Sequence, residues 1–155
     1  MKESSNLPNA RPPLNLLMVE DDDGDVKAVR RALYRAGIDA TMIRAVDGVE
    51  ALSIMRGRAR PHPADPYIVL ADIRMPRMNG LEFLNELRND CSLKQVVVFV
   101  FTTSNNDQDK REAYEAGISG YILKQSVGRD YRPLIETLDR FWNIVSLPDV
   151  RPSEE

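Results

Sequence analysis

Five short apolar segments alternate along the chain with stretches in which apolar residues recur at helical spacing. The first segment, Leu14–Val19, stops at an acidic run that starts with Glu20, as a buried strand does where it meets a loop. Val26 and Leu33 then lie on one face of a predicted helix, and Gly37 is placed to end it. The other predicted strands are residues 41–46, 67–71, 96–101 and 120–123.

This alternation predicts an α/β fold, a doubly wound five-stranded parallel sheet with helices on both faces. Right-handed crossovers favour the strand order 2-1-3-4-5. Ligands of such sheets bind outside the carboxyl ends of the strands, where the winding direction switches. Strands one, three, four and five end, respectively, at Glu20 and Asp21, at Asp72, at Thr102 and at Lys124.

The composition is that of one ordinary domain. The chain has 155 residues, 43% of them hydrophobic, with a net charge of -3, and a core of this size forms without disulfides. Cys91 is the only cysteine, which excludes an internal disulfide and fits a reducing compartment. No apolar run approaches the ~18 residues of a membrane span, and no basic cluster suits nucleic acid. We expect a cytoplasmic protein that binds neither membranes nor nucleic acid.

The two ends of the chain differ from the part between them. Residues 1–13 are rich in Ser, Asn and Pro, and residues 148–155 offer little apolar surface. We expect a flexible extension over 1–13, one domain over 14–147, and a flexible tail over 148–155. No output domain is expected after residue 147.

Carboxylates that converge at one sheet edge repel one another unless a cation lies nearby. Mg²⁺ prefers oxygen ligands and usually takes one or two carboxylates together with phosphate oxygens. A phosphoryl group at Asp72 would be neutralised by that ion and by the Lys124 ammonium, and the Thr102 hydroxyl would donate a hydrogen bond to it. Asp72 would then be the nucleophile that forms an aspartyl phosphate.

The sequence resembles the receiver domain of two-component response regulators from about Leu14 to Val145, a family with this flavodoxin-like fold. The motifs that carry the resemblance are Val19-Glu20-Asp21-Asp22, the run from Asp72 to Gly80, Thr102-Thr103-Ser104, and Tyr121-Ile122-Leu123-Lys124. Residues 22–30 and 102–105 look most like the single-domain regulators that partner phytochrome-type histidine kinases.

The resemblance implies a phosphoryl-accepting switch rather than an enzyme. Asp72 is the implied phosphoacceptor. The implied Mg²⁺ ligands are Glu20, Asp21, Asp72 and the backbone carbonyl of Arg74. The implied partner is a histidine kinase, with a bacteriophytochrome as the narrower candidate.

The same resemblance assigns the residues that respond to phosphorylation. Thr102 and Lys124 contact the phosphoryl group, and Tyr121 is an aromatic switch whose ring moves inward when Thr102 is drawn to the phosphate. We expect a homodimer through the fourth helix, fifth strand and fifth helix.

One residue departs from the family pattern. The family usually has proline after the lysine, often with a cis peptide bond, whereas Gln125 follows Lys124 here. A cis bond before a non-proline residue costs ~2.5 to 4 kcal/mol, so we expect a trans bond. The departure puts the resting position of Lys124 in question.

Each motif also has a local explanation. Asp22 and Asp23 can simply cap the first helix. Asp72 can belong to an ordinary turn, Thr102 can complete a β-branched strand, and Lys124 can be a solvated strand end. Only the joint placement at one sheet edge favours a site.

Three other functions are considered. Residues 21–24 imitate the nucleophile motif of haloacid-dehalogenase-like phosphatases, but Asp25 stands where Thr or Val is expected. A flavin or nucleotide binder would need a phosphate-cradling first loop, and this loop is acidic. A degenerate receiver that takes no phosphate stays open because of Gln125.

Overall fold

The computed structural model describes residues 13–150. Its strands are β1 Leu14–Val19, β2 Ala40–Ala45, β3 Ile68–Ala71, β4 Val97–Thr102 and β5 Gly120–Leu123. Its α-helices are α1 Asp23–Arg35, α2 Gly48–Met55, α3 Gly80–Arg88, α4 Asp107–Glu115 and α5 Arg132–Ile144. Helix and strand alternate along the chain, as the apolar pattern predicts.

All five strands form one parallel sheet in the order β2-β1-β3-β4-β5. The predicted fold and strand order are therefore confirmed. The predicted bounds of β2, β3 and β4 differ from the structure by one residue at one or both ends, because a strand starts and stops where its ladder of hydrogen bonds does. The central strands β1 and β3 are buried along their whole length, as expected for strands covered on both faces.

The sheet separates two apolar layers. Leu17 and Val19 point into the layer under α2, α3 and α4. Leu16 and Met18 point to the opposite face and pack with side chains of α1 and α5, among them Trp142. Successive strand side chains alternate between faces, and each fully buried aliphatic side chain stabilises the fold by about 1.5–3 kcal/mol.

Several helices are bounded by capping residues at their starts or by glycines just after their ends. The Asp22 carboxylate accepts hydrogen bonds from the N–H groups of Gly24 and Asp25 at 2.7 and 3.2 Å, and so caps α1. Gly37 and Gly117 have φ angles of +69° and +77° just after α1 and α4, a backbone conformation that favours glycine. The capping explanation of Asp22 is confirmed.

The segment after α5 contains one buried side chain that the sequence does not predict. The Val150 side chain is 4% exposed and joins the layer under α2, α3 and α4, whereas Leu147 packs against the layer of α1 and α5. The chain therefore passes from one face of the sheet to the other. The expectation that residues 148–155 have little to bury is wrong at Val150, because burial in this layer removes its apolar side chain from water. Residues 1–12 and 151–155 lie outside the described part.

Candidate functional site

Three carboxylates meet at the carboxyl end of the sheet. One oxygen from each of Glu20, Asp21 and Asp72 lies within 4.8 Å of the others. The strand register produces this convergence, because Val19 pairs with Ala71 and the Asp72 N–H donates to the Val19 carbonyl at 3.0 Å. Glu20 and Asp72 are buried and Asp21 is exposed. The structure thus brings together the carboxylates that the sequence places at strand ends.

The Lys124 ammonium lies among these carboxylates. Its Nζ is 3.0 Å from Asp72 Oδ2, 2.8 Å from Glu20 Oε1 and 2.5 Å from Asp25 Oδ2. The Lys124 side chain is 11% exposed. Burial alone would lower the pKa of Lys124, but hydrogen bonds to three carboxylates outweigh burial and raise that pKa above its usual value. Lys124 is therefore an ammonium at neutral pH.

Gln125 does not displace the lysine. The Lys124–Gln125 peptide bond is trans, as expected, since the cis bonds within residues 13–150 are those before Pro61 and Pro66. Residues Lys124–Ser126 form a short 3₁₀ turn directly after β5. The turn leaves the Lys124 side chain pointing into the acidic pocket.

Negative charge exceeds positive charge in this pocket. Burial, and to a lesser extent the nearby Asp72 charge, raise the pKa of Glu20 to about 8 against the opposing effect of Lys124. Even with Glu20 protonated, one ammonium does not neutralise the carboxylates of Asp21, Asp25 and Asp72. The pocket is therefore suited to an additional cation with oxygen ligands.

Thr102 and Tyr121 lie on neighbouring strands beside the pocket. The Thr102 side chain is fully buried, and its hydroxyl accepts a hydrogen bond from the Ser104 N–H at 3.2 Å. The Tyr121 hydroxyl donates to the Ser104 backbone carbonyl at 2.7 Å, and the Lys110 ammonium lies 5.9 Å from the ring centroid. Ser104 is thus the residue through which the end of β4 contacts Tyr121.

Arg74 connects the loop after β3 to the start of α4. Its N–H donates to Asp72 Oδ1 at 3.2 Å. Its guanidinium donates to Asp109 Oδ2 at 3.1 Å and to Ser104 Oγ at 3.4 Å. An open cleft of about 440 Å³ beside the acidic group is lined in part by Asp21, Arg74 and Asp109. The Arg74 carbonyl stays a predicted metal ligand.

Comparison with known proteins decides the family of this site. The family model for the response regulator receiver domain matches residues 16–136. The chain belongs to this receiver domain family.

Individual response regulators are similar to this chain over most of its length. Response regulator Rcp1 of Synechocystis sp. is 30% identical over 150 residues, which cover 96% of this chain and 99% of Rcp1. The solved Mn(2+)-bound form of Rcp1 has a TM-score of 0.75 to this chain at 30% identity, covering 88% of this chain and 99% of that one.

Two further solved structures belong to light-responsive systems. Response regulator RPA3017 in red light signaling of R. palustris has a TM-score of 0.75 at 35% identity, covering 87% of this chain and 98% of that one. The phosphorylated cyanobacterial phytochrome response regulator RcpA has a TM-score of 0.73 at 26% identity, covering 88% of this chain and 99% of RcpA. The predicted family, and its likeness to regulators paired with phytochromes, are confirmed. The family match does not favour the phosphatase alternative.

The loop between β3 and α3 of the receiver is fixed at two points. The Gly80 N–H donates to the Ile73 carbonyl at 2.9 Å, and Asn79 caps α3. The Arg77 Nε lies 2.6 Å from Oδ2 of the buried Asp47, which caps α2. Burial acts to raise the pKa of Asp47, but the hydrogen bond and charge of Arg77, together with hydrogen bonds from the N–H groups of Glu50 and Val49, outweigh burial and hold that pKa below its usual value.

Two residues of the receiver site were not predicted from the sequence. Asp25 lies in the first turn of α1 and contacts Lys124, and the Tyr131 hydroxyl donates to Asp25 Oδ1 at 2.8 Å. Burial and the hydrogen bond to Asp25 raise the pKa of Tyr131 to about 12, so its hydroxyl is a proton donor at neutral pH. The only signal in the sequence is the acidic residue four positions after Asp21, which looks like any acidic side chain at a helix start.

No helix within residues 13–150 has both the length and the apolar character that crossing a bilayer requires.

Proposed function

We propose that this receiver accepts a phosphoryl group from a histidine kinase on Asp72 and then changes its interaction surface in a phosphorelay. The observation that carries the proposal is the 3.0 Å contact between the Lys124 ammonium and the Asp72 carboxylate inside the acidic pocket. Asp72 is 6% exposed, and Asp21 and Ile73 next to it line an open cleft, by which we propose that the donor approaches. A buried structural ion pair would have no need of such access.

The oxygen donors present fit a divalent metal ion. The proposed ligands are Glu20, Asp21, Asp72 and the backbone carbonyl of Arg74, and the three carboxylates already lie within 4.8 Å of one another. The solved Mn(2+)-bound form of the related regulator Rcp1 supports the proposal that a divalent ion binds here. Mg²⁺ bound there would neutralise charge on the phosphoryl oxygens during transfer.

The chain's own residues supply the nucleophile and two contacts to the phosphoryl group. One Asp72 oxygen attacks the phosphorus of a phosphohistidine, and an O–P bond forms as the P–N bond breaks. The electron pair of the P–N bond stays on the imidazole nitrogen, which then binds a proton from solvent. Lys124 and Thr102 are proposed to hold the phosphoryl oxygens through one charged and one neutral hydrogen bond.

The proposed response begins at Thr102. If the Thr102 hydroxyl turns towards a phosphoryl oxygen, its bond to the Ser104 N–H is lost. Tyr121, held through the Ser104 carbonyl, is then free to move its ring inward. The surface proposed to change comprises α4, β5 and α5, and we propose that it forms a homodimer. Tyr114 on α4 and Ile144 on α5 expose 50% and 75% of their surface, which supplies apolar area for such a contact.

The proposed kinase is of the phytochrome type. The support is the likeness to the red-light regulator of R. palustris and to the cyanobacterial phytochrome regulator RcpA. The cytoplasmic location expected from the sequence stays a prediction.

Beryllofluoride, an analogue of the phosphoryl group, tests the site without a kinase. With Mg²⁺ it should shift the amide signals of Thr102, Ser104 and Tyr121 in wild-type protein. Asp72→Asn should abolish these shifts. Asp90→Asn, which removes a carboxylate paired with Arg56 after α3, should leave them intact. Absence of any shift in the wild type would favour a degenerate receiver.

A further inference from the structure

We propose that Asp25 and Tyr131 tether the Lys124 ammonium at the phosphorylation site independently of the metal ion. They are positioning residues, since they act through Lys124 and touch neither the phosphoryl group nor the metal. The inference rests on the function proposed above.

Both oxygens of the Asp25 carboxylate are engaged. Oδ2 lies 2.5 Å from the Lys124 Nζ, and Oδ1 accepts the Tyr131 hydroxyl at 2.8 Å. The Asp25 side chain is 16% exposed, whereas that of Asp23 in the same helical turn is 76% exposed and pairs with Arg44 at 2.8 Å. Of these two first-turn aspartates, only Asp25 is directed into the site.

The three carboxylates around Lys124 differ in whether they can also bind a metal ion. Glu20 and Asp72 belong to the group that can hold a metal ion, and Asp25 does not. Oxygens that bind a cation are less able to accept hydrogen bonds from an ammonium, because the two positive charges compete for them. Asp25 is therefore the one carboxylate partner of Lys124 that metal binding leaves in place.

Tyr131 holds Asp25 in place while its own backbone adopts a left-handed conformation. Tyr131 is a non-glycine residue with a φ angle of +57° immediately before α5, and its side chain makes no capping bond. Such strain persists where surrounding contacts impose it, and it concentrates at functional sites. Two contacts hold the Tyr131 side chain in this conformation: the hydroxyl bond to Asp25 at 2.8 Å, and an edge-on contact with the Phe101 ring at 5.7 Å between centroids.

Phe101 completes the tether. The Lys124 Nζ lies 5.6 Å from the centroid of the Phe101 ring, within the range of a cation–π contact. Lys124 therefore lies between a carboxylate and an aromatic ring, and Tyr131 touches both. Three elements, α1, β4 and the start of α5, jointly set where the ammonium points.

The test compares Asp25→Asn with Asp23→Asn in the full chain. Both changes remove one carboxylate from the first turn of α1, so both lose the same favourable interaction with the helix dipole. Only Asp25→Asn removes a partner of Lys124. Tyr131→Phe removes the supporting hydroxyl and keeps the ring against Phe101.

The first readout is the ammonium signal of Lys124 in proton–nitrogen NMR spectra, with and without Mg²⁺. An ammonium held by hydrogen bonds exchanges slowly enough with water to be seen. With Mg²⁺ present, the signal should persist in the wild type and in Asp23→Asn, and disappear in Asp25→Asn. Persistence of the signal in Asp25→Asn would overturn the tether, whatever the phosphorylation results are.

The second readout is the rate of phosphorylation by acetyl phosphate at saturating Mg²⁺. Loss of an outer-shell partner of a metal ligand typically costs about 10–100-fold in activity, and we expect a similar scale for the partner of Lys124. Asp25→Asn should lose about tenfold or more in rate, Tyr131→Phe should lose less, and Asp23→Asn should stay within about twofold of wild type. Equal rates for Asp25→Asn and Asp23→Asn would also overturn the proposal. A wild-type protein that takes no phosphoryl group would instead overturn the proposed function, and the NMR comparison would still decide the tether.

Discussion

A Cβ atom added to Gly80 would lie 2.3 Å from the backbone carbonyl oxygen of Asp72. Helix α3 begins at Gly80, so the first residue of this helix packs directly on the backbone of the proposed phosphoacceptor. A side chain at position 80 would have to push either the helix or Asp72 away. The position of Asp72 against Lys124 therefore depends on the absence of a side chain at residue 80.

Gly80→Ala should destabilise the protein by about 2 kcal/mol or more, because backbone atoms cannot yield as a side-chain tip can. Urea unfolding followed by circular dichroism measures this loss.

Gly128→Ala is the matched control. Gly128 has a φ angle of +72° and nothing within 4 Å of an added Cβ. The stability lost on replacing it by alanine therefore comes from backbone conformation alone and should be about 1–2 kcal/mol. An alanine at position 80 that is tolerated better than one at position 128 would contradict the packing explanation.

Arg77→Gln should reduce stability at pH 7 and have little effect in acid. Arg77 holds the pKa of Asp47 below its unfolded value of 3.8. A carboxyl whose pKa is depressed by folding contributes stability above its unfolded pKa and loses that contribution as the pH falls through its folded pKa. Urea midpoints of the wild type and Arg77→Gln should therefore differ at pH 7 and converge well below pH 3.8.

Arg111→Gln supplies the comparison for this pH effect. The Arg111 guanidinium donates to the neutral side chain of Gln108 on exposed α4, so its removal should change the midpoint little at either pH. A difference in urea midpoint between wild type and Arg77→Gln that stays constant as the pH is lowered would show that Asp47 is not the group responsible for the pH effect.

The strand ends could be read from the sequence because they follow from local pattern. A run such as Leu14–Val19 ends where charge begins, and the parallel topology places all such ends at one edge. The sequence therefore predicts that Glu20, Asp72 and Lys124 meet, and the structure places the Lys124 ammonium within hydrogen-bond distance of both carboxylates.

The tether and the C-terminal segment could not be predicted in that way. Tyr131 and Asp25 are 106 residues apart in the chain, and their contact depends on how the loop before α5 turns back over α1. The polar residues around Val150 predict a flexible tail, whereas its burial depends on contact with the layer under α2, α3 and α4. Non-local packing of single side chains leaves no periodic signal.

Tyr121→Phe should cost about 1 kcal/mol, the typical net contribution of one hydrogen bond. The change removes the donor to the Ser104 carbonyl and keeps the ring. Tyr114→Phe removes a hydroxyl from a half-exposed tyrosine on α4 and should be close to neutral. Equal unfolding free energies for the two variants would show that the Ser104 contact contributes nothing to the resting state.

Asn15→Leu should loosen the loop before β3. Asn15 is buried in β1, and its Nδ2 donates to the carbonyls of Ala64 and Pro66, both at 3.1 Å. Loss of the amide leaves these carbonyls without that donor and should cost about 1–3 kcal/mol. In Asn15→Leu, trypsin should cut the chain after Arg58 faster than it does in the wild type. Asn143→Leu, which removes an exposed amide bonded to Asp139, should leave the cleavage rate unchanged.

The most direct test of phosphorylation at Asp72 is the mass of the protein after incubation with acetyl phosphate and Mg²⁺. We expect the addition of one phosphoryl group, mapped to Asp72 and absent from Asp72→Asn. A wild-type protein that stays unmodified while a known receiver in the same tube is phosphorylated, or one that carries the group on another residue, would contradict phosphorylation at Asp72.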